Sequence, residues 1–248
     1  AYFESLKIYE NLARKNPKRY NPDLGYTQIG IAYLMQSLLL QELDLNYQEK
    51  GLELAQNAKV VLNACDTSIS FVQDLLKNAN ELEGYFLDFS AEDLEIQKAI
   101  NNCLPYQERN AIEKDPSAKI INQEKVVAIL EGALNNFPQD STLQALGLRA
   151  YNNLARFALS GRQFKKAEEA SLKGLEINPK EEWQNVNLAL ALLYQGKFKQ
   201  AKKLMLKIKH LSYNGSTLKS ALLDDLDALE KEGITHKDVE KARALLKE

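Results

Sequence analysis

Apolar residues follow helical spacing along most of the chain. The spacing is clearest in four stretches, which cover residues 151–159, 164–177, 183–194 and 198–208. In each stretch the apolar positions recur every third or fourth residue, which places them on one face of an α-helix. The pattern predicts four consecutive helices, arranged as two pairs.

Turn residues separate these predicted helices. Gly161 and Gly196 mark the turn inside each pair, and Asn178-Pro179 ends the first pair, because proline disfavours a helical conformation for the residue before it. Helical spacing also continues through residues 65–138. Ser90 is predicted to begin a helix there, because its side chain can cap free backbone N–H groups.

The two helix pairs repeat one another at an offset of 34 residues. Nine residues are identical at this shift, namely Asn153 and Asn187, Leu154 and Leu188, Ala155 and Ala189, Leu159 and Leu193, Phe164 and Phe198, Lys165 and Lys199, Ala167 and Ala201, Leu172 and Leu206, and Lys173 and Lys207. The four alanines are small enough for the two helices of a pair to cross closely. We therefore predict packed antiparallel helical hairpins.

Residues 188–201, LALALLYQGKFKQA, resemble the core of the tetratricopeptide repeat (TPR) family, a 34-residue helix-turn-helix unit. The resemblance implies an all-α fold, an α-solenoid of antiparallel helix hairpins forming a TPR-like superhelix. We expect about twelve helices in a chain of this length.

Four regions follow from this interpretation. Tyr2, Tyr9 and Pro17 are similar to the second helix of a repeat, so the chain is expected to start in mid-repeat. Tyr26, Gly30 and Tyr33 are similar to the first helix of a weaker repeat, and the helices near 38–47 are expected to be longer than standard. Asn214-Gly215 is predicted to break the chain before the tail. The regions are N-terminal TPR-like helices (1–64), degenerate helical repeats (65–138), two clear TPR repeats (139–211) and C-terminal capping helices (212–248).

Composition narrows the fold and the location. The 248 residues are 45% hydrophobic, enough for a packed core, and only 17 are Gly or Pro, too few for the many turns of an all-β fold. No apolar run reaches the length of a membrane span. We expect a soluble protein without membrane contact. A cytoplasmic location is favoured, and an upstream signal peptide would not be visible in this sequence.

The sequence offers few residues for catalysis. It has no Gly-rich phosphate loop, nucleophile elbow or metalloprotease signature, and its only histidines are His210 and His236. Cys65 and Cys103 lack the spacing of a zinc site and are interpreted as buried apolar thiols. Acidic clusters are interpreted as solvated helix faces. We predict that the protein is not an enzyme and has no cofactor and no metal.

Local charge differs between the two halves of the chain. Residues 162–209 carry eleven Lys and Arg against five acids, a charge of +6, whereas residues 42–98 carry four Lys against twelve acids, a charge of -8. Many of the basic residues lie on second helices, the convex side of a TPR array, and are interpreted as solubilising charge. Nucleic-acid binding through this stretch is an alternative that we do not favour.

The resemblance also implies where a partner would bind. First helices of TPR units line a concave groove, and the family's contact positions correspond here to seven proposed partner-binding residues: Arg149, Asn152, Arg156, Trp183, Val186, Leu190 and Tyr194. Because two arginines seven residues apart share a helix face, they could hold an acidic or C-terminal peptide segment. Trp183 is interpreted either as a lid over the preceding repeat or as an exposed anchor.

The known TPR pattern for chaperone C-terminal tails does not fit, because Thr27 and Ile31 occupy positions that would need Lys and Asn. We predict a non-catalytic scaffold that binds a protein or peptide. The segment DDLDALEKEGITHKDVEKARALL is also similar to the ends of bacterial TPR proteins that accompany caspase-like proteases or signalling modules. The alternative is therefore a regulatory region packed on such an enzyme domain, of the same or a partner polypeptide.

Overall fold

A computed structural model describes residues 2–213 and 216–247, and twelve helices lie within them. The helices are α1 (Tyr2–Lys15), α2 (Pro17–Glu42), α3 (Asn46–Asn63), α4 (Ser70–Asp88), α5 (Ala91–Ile112), α6 (Pro116–Asn136), α7 (Ser141–Ser160), α8 (Phe164–Ile177), α9 (Glu182–Tyr194), α10 (Phe198–Ile208), α11 (Leu218–Lys231) and α12 (Val239–Lys247). Two short antiparallel strands, β1 (Ser212–Tyr213) and β2 (Ser216–Thr217), precede α11. The predicted break at Asn214-Gly215 lies outside the described residues. The all-α class is confirmed.

The chain divides into two compact units, Ala1–Asn101 and Asn102–Glu248. In the first unit, helices α1 to α4 pack in sequence order, and α2 also contacts α4. Contact between alternate helices is what stacked hairpins produce. The expected long helix is α2, which has 26 residues. Its buried side chains Ile31 and Leu39 share a core with Leu62 and Phe86.

Two glycines of the first unit lie directly against side chains of neighbouring helices. A Cβ added to Gly51 would lie 2.2 Å from the ring of Phe86, and one added to Gly25 would lie 2.6 Å from Leu62. Both neighbouring side chains are fully buried. Any larger residue at either position would therefore push neighbouring helices apart.

The second unit repeats the same arrangement. Helices α6 to α10 pack in sequence order, and α7 contacts α9. The four alanines that the sequence places at the helix crossings, Ala155, Ala167, Ala189 and Ala201, are all fully buried. The predicted packing of small residues inside each hairpin is thus confirmed.

The turns inside the two hairpins differ from the prediction at one residue. Gly196 has φ of 77°, but Gly161 has an ordinary φ of -82°, and Arg162 adopts the left-handed conformation with φ of 58°. Gly161 is required for another reason, because a Cβ there would lie 2.8 Å from Cδ1 of Ile120. The first turn therefore uses its glycine for close packing rather than for a positive φ.

The predicted helix start in the degenerate region is confirmed by a reciprocal cap. The Ser90 Oγ accepts from the Asp93 backbone N–H at 3.1 Å, and the Asp93 carboxylate accepts from the Ser90 N–H at 2.7 Å. This pair begins α5.

The two cysteines differ in burial. Cys103 is buried as expected, but Cys65 is only half-buried.

The tail is attached to the last repeat. Helix α11 packs on α9 and α10, and α12 packs on α10 and α11. Gly233, with φ of 72°, follows the end of α11, and α12 begins at Val239. Arg243 joins the two helices, because its guanidinium lies 2.6 Å from both the Asp227 and the Glu230 carboxylates.

Candidate functional site

Helix α7 presents the polar side chains that the sequence predicted. Arg149 and Arg156 are exposed, two turns apart on one face. Asn152, between them, is half-buried, and its Oδ1 accepts a hydrogen bond from Asn187 Nδ2 of α9 at 2.6 Å. The arginines are thus accessible, while Asn152 fastens two first helices to each other. We call the face with Arg149, Arg156 and Phe157 the groove face of α7.

The corresponding side chains of α9 are not accessible. Val186, Leu190 and Tyr194 have exposed fractions of 0%, 1% and 5%, so the prediction that they line an open surface is wrong. The physical reason at Tyr194 is the C-terminal segment: the Tyr194 hydroxyl donates to the Ile234 carbonyl at 3.4 Å, and its ring meets the His236 ring edge-on at 6.5 Å. A repeat pattern read alone does not show that a later segment covers it.

The environment of Tyr194 is apolar enough to alter its ionisation. Burial, with a smaller contribution from the charge of Glu230, raises the pKa of the Tyr194 phenol to about 12. Its ring also stacks on Phe164 at a centroid distance of 5.3 Å.

Trp183 is half-buried in the first turn of α9. Its two predicted roles, a lid over the preceding repeat and an exposed anchor, both stay predictions.

A cavity of about 610 Å³ lies between the start of α6, the end of α7, α9 and α11. Three cationic side chains line it: Lys114, Lys119 and Arg156. Its apolar lining includes Phe157 and Leu190 from the repeats. Helix α11 closes one side with Leu229, Asp225 and Glu232. The volume is within the usual range for a ligand pocket.

The cations of this larger cavity have little direct compensation. None of Lys114, Lys119 and Arg156 forms an ion pair with a carboxylate of the described residues. Lys119 instead lies over the Phe157 ring, with its Nζ 5.5 Å from the centroid. Burial raises the pKa of the Asp225 carboxyl above its ordinary value, and the charge of Arg156 acts in the opposite direction.

A second cavity, of about 170 Å³, adjoins the first, because Phe157 lines both. Arg149 lies at this smaller cavity with Asn110 and Gln123. Asn110 Nδ2 donates to Gln123 Oε1 at 3.2 Å, and Gln123 Nε2 donates to the Ala150 carbonyl at 3.1 Å. The Oδ1 of Asn110 is buried and has no hydrogen-bond partner among the described residues. Such an acceptor is costly unless a donor reaches it.

A third cavity, of about 490 Å³, is lined by α6, α7 and α8, and its polar groups pair with one another. Lys166 binds Glu124. Tyr151 donates to Glu131, and burial together with this bond raises the pKa of its phenol. Because its two cations, Lys166 and Lys173, are each paired with a glutamate, this cavity offers less to a charged ligand than the first.

The chemistry available for catalysis is limited within the described residues. They contain no group of three His, Cys, Asp or Glu placed to hold a metal ion. Burial raises the pKa of the Cys103 thiol to about 11, so little thiolate forms at neutral pH. His236 of the tail lies beside Asp238 and beside Tyr194 of α9, and His210 is exposed after α10.

No described helix is both long enough and apolar enough to cross a bilayer.

Sequence reasoning missed two of the three cations at the larger cavity. Lys114 and Lys119 lie in the connection between α5 and α6 and in the first turns of α6, outside the first-helix positions that the TPR resemblance singles out. Their spacing along the sequence carries no signal, because helix packing brings them to Arg156.

Comparison with known proteins gives no further assignment. No family model matches the chain, and no curated protein matches it. The resemblance to TPR units therefore stays an interpretation of residues 188–201 and of the 34-residue offset. The structure supplies the all-α architecture on which that interpretation depends.

Proposed function

We propose that the chain is a non-catalytic scaffold that binds a segment of a partner protein on the groove face of α7. One observation carries the proposal: Arg149 and Arg156 are exposed on this face and line two adjoining cavities that share Phe157. A preformed pair of pockets along one helix suits an extended ligand with two anchoring groups.

The composition of the two cavities supports a protein ligand. They combine exposed cations with an aromatic ring and an unpaired amide oxygen, at Arg156, Phe157 and Asn110 respectively. A peptide brings all three complementary groups, namely a carboxylate, an apolar side chain and a backbone N–H. Arg is also enriched among the residues that dominate protein interfaces.

Affinity capture from lysate of the source cell, after light crosslinking, tests the proposal. The Arg149→Gln/Arg156→Gln variant removes the two groove cations, and we expect capture of the native partner to fall by about tenfold or more. The matched control is Lys199→Gln/Lys202→Gln, which removes two exposed cations from α10 and should leave capture unchanged. Circular dichroism must show that the helices of both variants are intact.

The reverse result would contradict this assignment. If capture survives the two arginine substitutions and is lost with the lysine substitutions, the site lies on the outer face formed by the second helices. If neither variant loses capture of the partner, neither the groove face nor α10 is the binding surface.

A second candidate is a regulatory region that packs on an enzyme domain of the same or a partner polypeptide. The observation that favours it is an exposed aromatic surface in the first unit. Tyr26 of α2 and Phe71 of α4 have exposed fractions of 61% and 51%, and their ring centroids are 6.4 Å apart. Neighbouring exposed aromatic rings are typical of protein contacts. Tyr26→Ser/Phe71→Ser would abolish such packing and leave the groove cations in place.

A further inference from the structure

We propose that the larger cavity binds an acidic side chain of the partner, carried on an extended segment with an apolar residue beside the acid. The inference depends on the proposed function, because it names the chemistry of the ligand that the groove face would hold. The ligand group is the carboxylate of a peptide side chain and not a free small anion.

The larger cavity is lined by more cations than acids. Three cations line it, against Asp225 and Glu232 from α11. Of the other acids of α11, Asp227 and Glu230 are held by Arg243 of α12, and Asp224 accepts a hydrogen bond from the Ser220 hydroxyl at 3.5 Å. Three cations against two carboxylates leave the cavity an excess of positive charge, which a carboxylate of the ligand would neutralise.

Apolar side chains line the same cavity beside its cations. Phe157 is half-buried and stands beneath the Lys119 ammonium. Leu229 of α11 also lines the cavity. A carboxylate bound at the three cations would leave the adjacent side chain against these groups, and burial of an aliphatic side chain contributes a favourable free energy.

The unpaired acceptor of the smaller cavity favours a peptide over a small molecule. Asn110 is 9% exposed, and its Oδ1 lacks a donor among the described residues. Arg149, at the same cavity, precedes Arg156 by seven residues, a rise of about 10 Å along a helix. About three residues of extended chain cover this length. A segment with its acid at Arg156 therefore reaches the smaller cavity, which Arg149 and Asn110 line, about three residues away.

Selection from an unbiased peptide library tests the inference. A displayed library of random peptides of about ten residues is selected on the immobilised full-length chain. We expect enriched sequences to share an Asp or Glu with an apolar residue within two positions of it. The best peptide is then synthesised, with a second version in which the acid is replaced by its amide.

The variant Lys114→Gln/Lys119→Gln/Arg156→Gln locates the acid. We expect the acidic peptide to bind about tenfold or more weakly to this variant than to the parent chain, and replacement by the amide to matter only in the parent. The control Lys199→Gln/Lys202→Gln/Lys203→Gln removes the same charge from α10 and should change affinity by less than about twofold.

The outcomes separate this inference from the proposed function. Enriched peptides without an acid, or an acid whose effect persists in the cavity variant, would overturn the inference while the scaffold function stands. No enrichment at all would overturn both. Competition by free glutarate as strongly as by the acidic peptide would show that a small anion, and not a peptide, is the ligand.

Discussion

The hairpins α7–α8 and α9–α10 share a 34-residue pattern and differ on the side that faces the groove. The equivalent pairs there are Arg149 and Trp183, Asn152 and Val186, Arg156 and Leu190, and Ser160 and Tyr194. On α7 the arginines are exposed, whereas on α9 Val186, Leu190 and Tyr194 are buried. One scaffold thus carries a polar face in one copy and an apolar face in the next.

The difference shows that neighbouring elements, and not the repeat itself, determine this face. The crossing alanines Ala155 and Ala189 are fully buried in both copies, so the hairpins pack alike. The C-terminal segment covers α9, through α11 and the Ile234 carbonyl, whereas the groove face of α7 keeps its arginines accessible. Apolar residues are favoured where a later helix packs.

Exchanging the equivalent residues should produce the largest effect. Leu190→Arg would place a charge at a position that is 1% exposed, and we expect the free energy of unfolding to fall by about 3–5 kcal/mol. The reverse exchange, Arg156→Leu, changes an exposed side chain and should alter stability by less than about 1 kcal/mol. Urea denaturation measures both, and equal effects would contradict the proposed asymmetry.

Overpacking the helix crossings should affect the two copies equally. Ala189→Leu and Ala155→Leu each add volume at a fully buried crossing, and each should lower the free energy of unfolding by about 1–3 kcal/mol. Thermal unfolding followed by circular dichroism checks the pair. A tolerated substitution in either copy would show that the hairpins do not pack alike.

The turns offer a smaller test of the comparison. Arg162 and Gly196 are equivalent and both have a positive φ. Gly196→Ala should therefore destabilise the protein by about 1 kcal/mol. Arg162→Gly relieves the strained φ but removes the bond from Arg162 Nη2 to the Gly233 carbonyl at 3.0 Å, so we expect almost no net change in the unfolding free energy. Differential scanning calorimetry of the Gly196→Ala and Arg162→Gly variants measures both changes in stability.

A small effect that depends on pH should come from Asp225, the acid on α11 beside Arg156. The folded-state pKa of Asp225 is raised by burial, so the folded protein binds the proton more tightly than the unfolded chain does. The stability due to this group is complete below the unfolded pKa and falls as pH rises through the folded pKa. Asp225→Asn should therefore gain stability relative to the parent as pH rises above the ordinary Asp pKa of about 4, which denaturant midpoints measured across pH will show.

Much of the fold could be predicted because repeated local patterns specify it. The 34-residue offset identified the two hairpins, and Ala167 and Ala201 marked their crossings. The cap at Ser90 was also visible, because it depends on residues three apart in sequence. Local signals of this kind require no knowledge of distant contacts.

The candidate site was only partly predictable, because distant segments complete it. Arg149 and Arg156 are accessible as expected from their spacing, but the burial of Leu190 depends on a helix more than 25 residues further along the chain. Lys114 and Lys119 reach Arg156 only through tertiary packing. The positive φ of Arg162 was missed because the neighbouring Gly161 is the residue usually assigned to such a turn.

The attachment of the tail to α9 has a consequence for how such a gene can lengthen. A duplication that inserts a copy of α9–α10 after α10 would place the copy of α9, and not the tail, against the original α9. A duplication of α7–α8 placed before α9 would keep the apolar face under the tail and would add only polar groove residues. Growth of the array after α10 therefore requires contacts between the copies that bury Leu190 and Tyr194 as the tail now does.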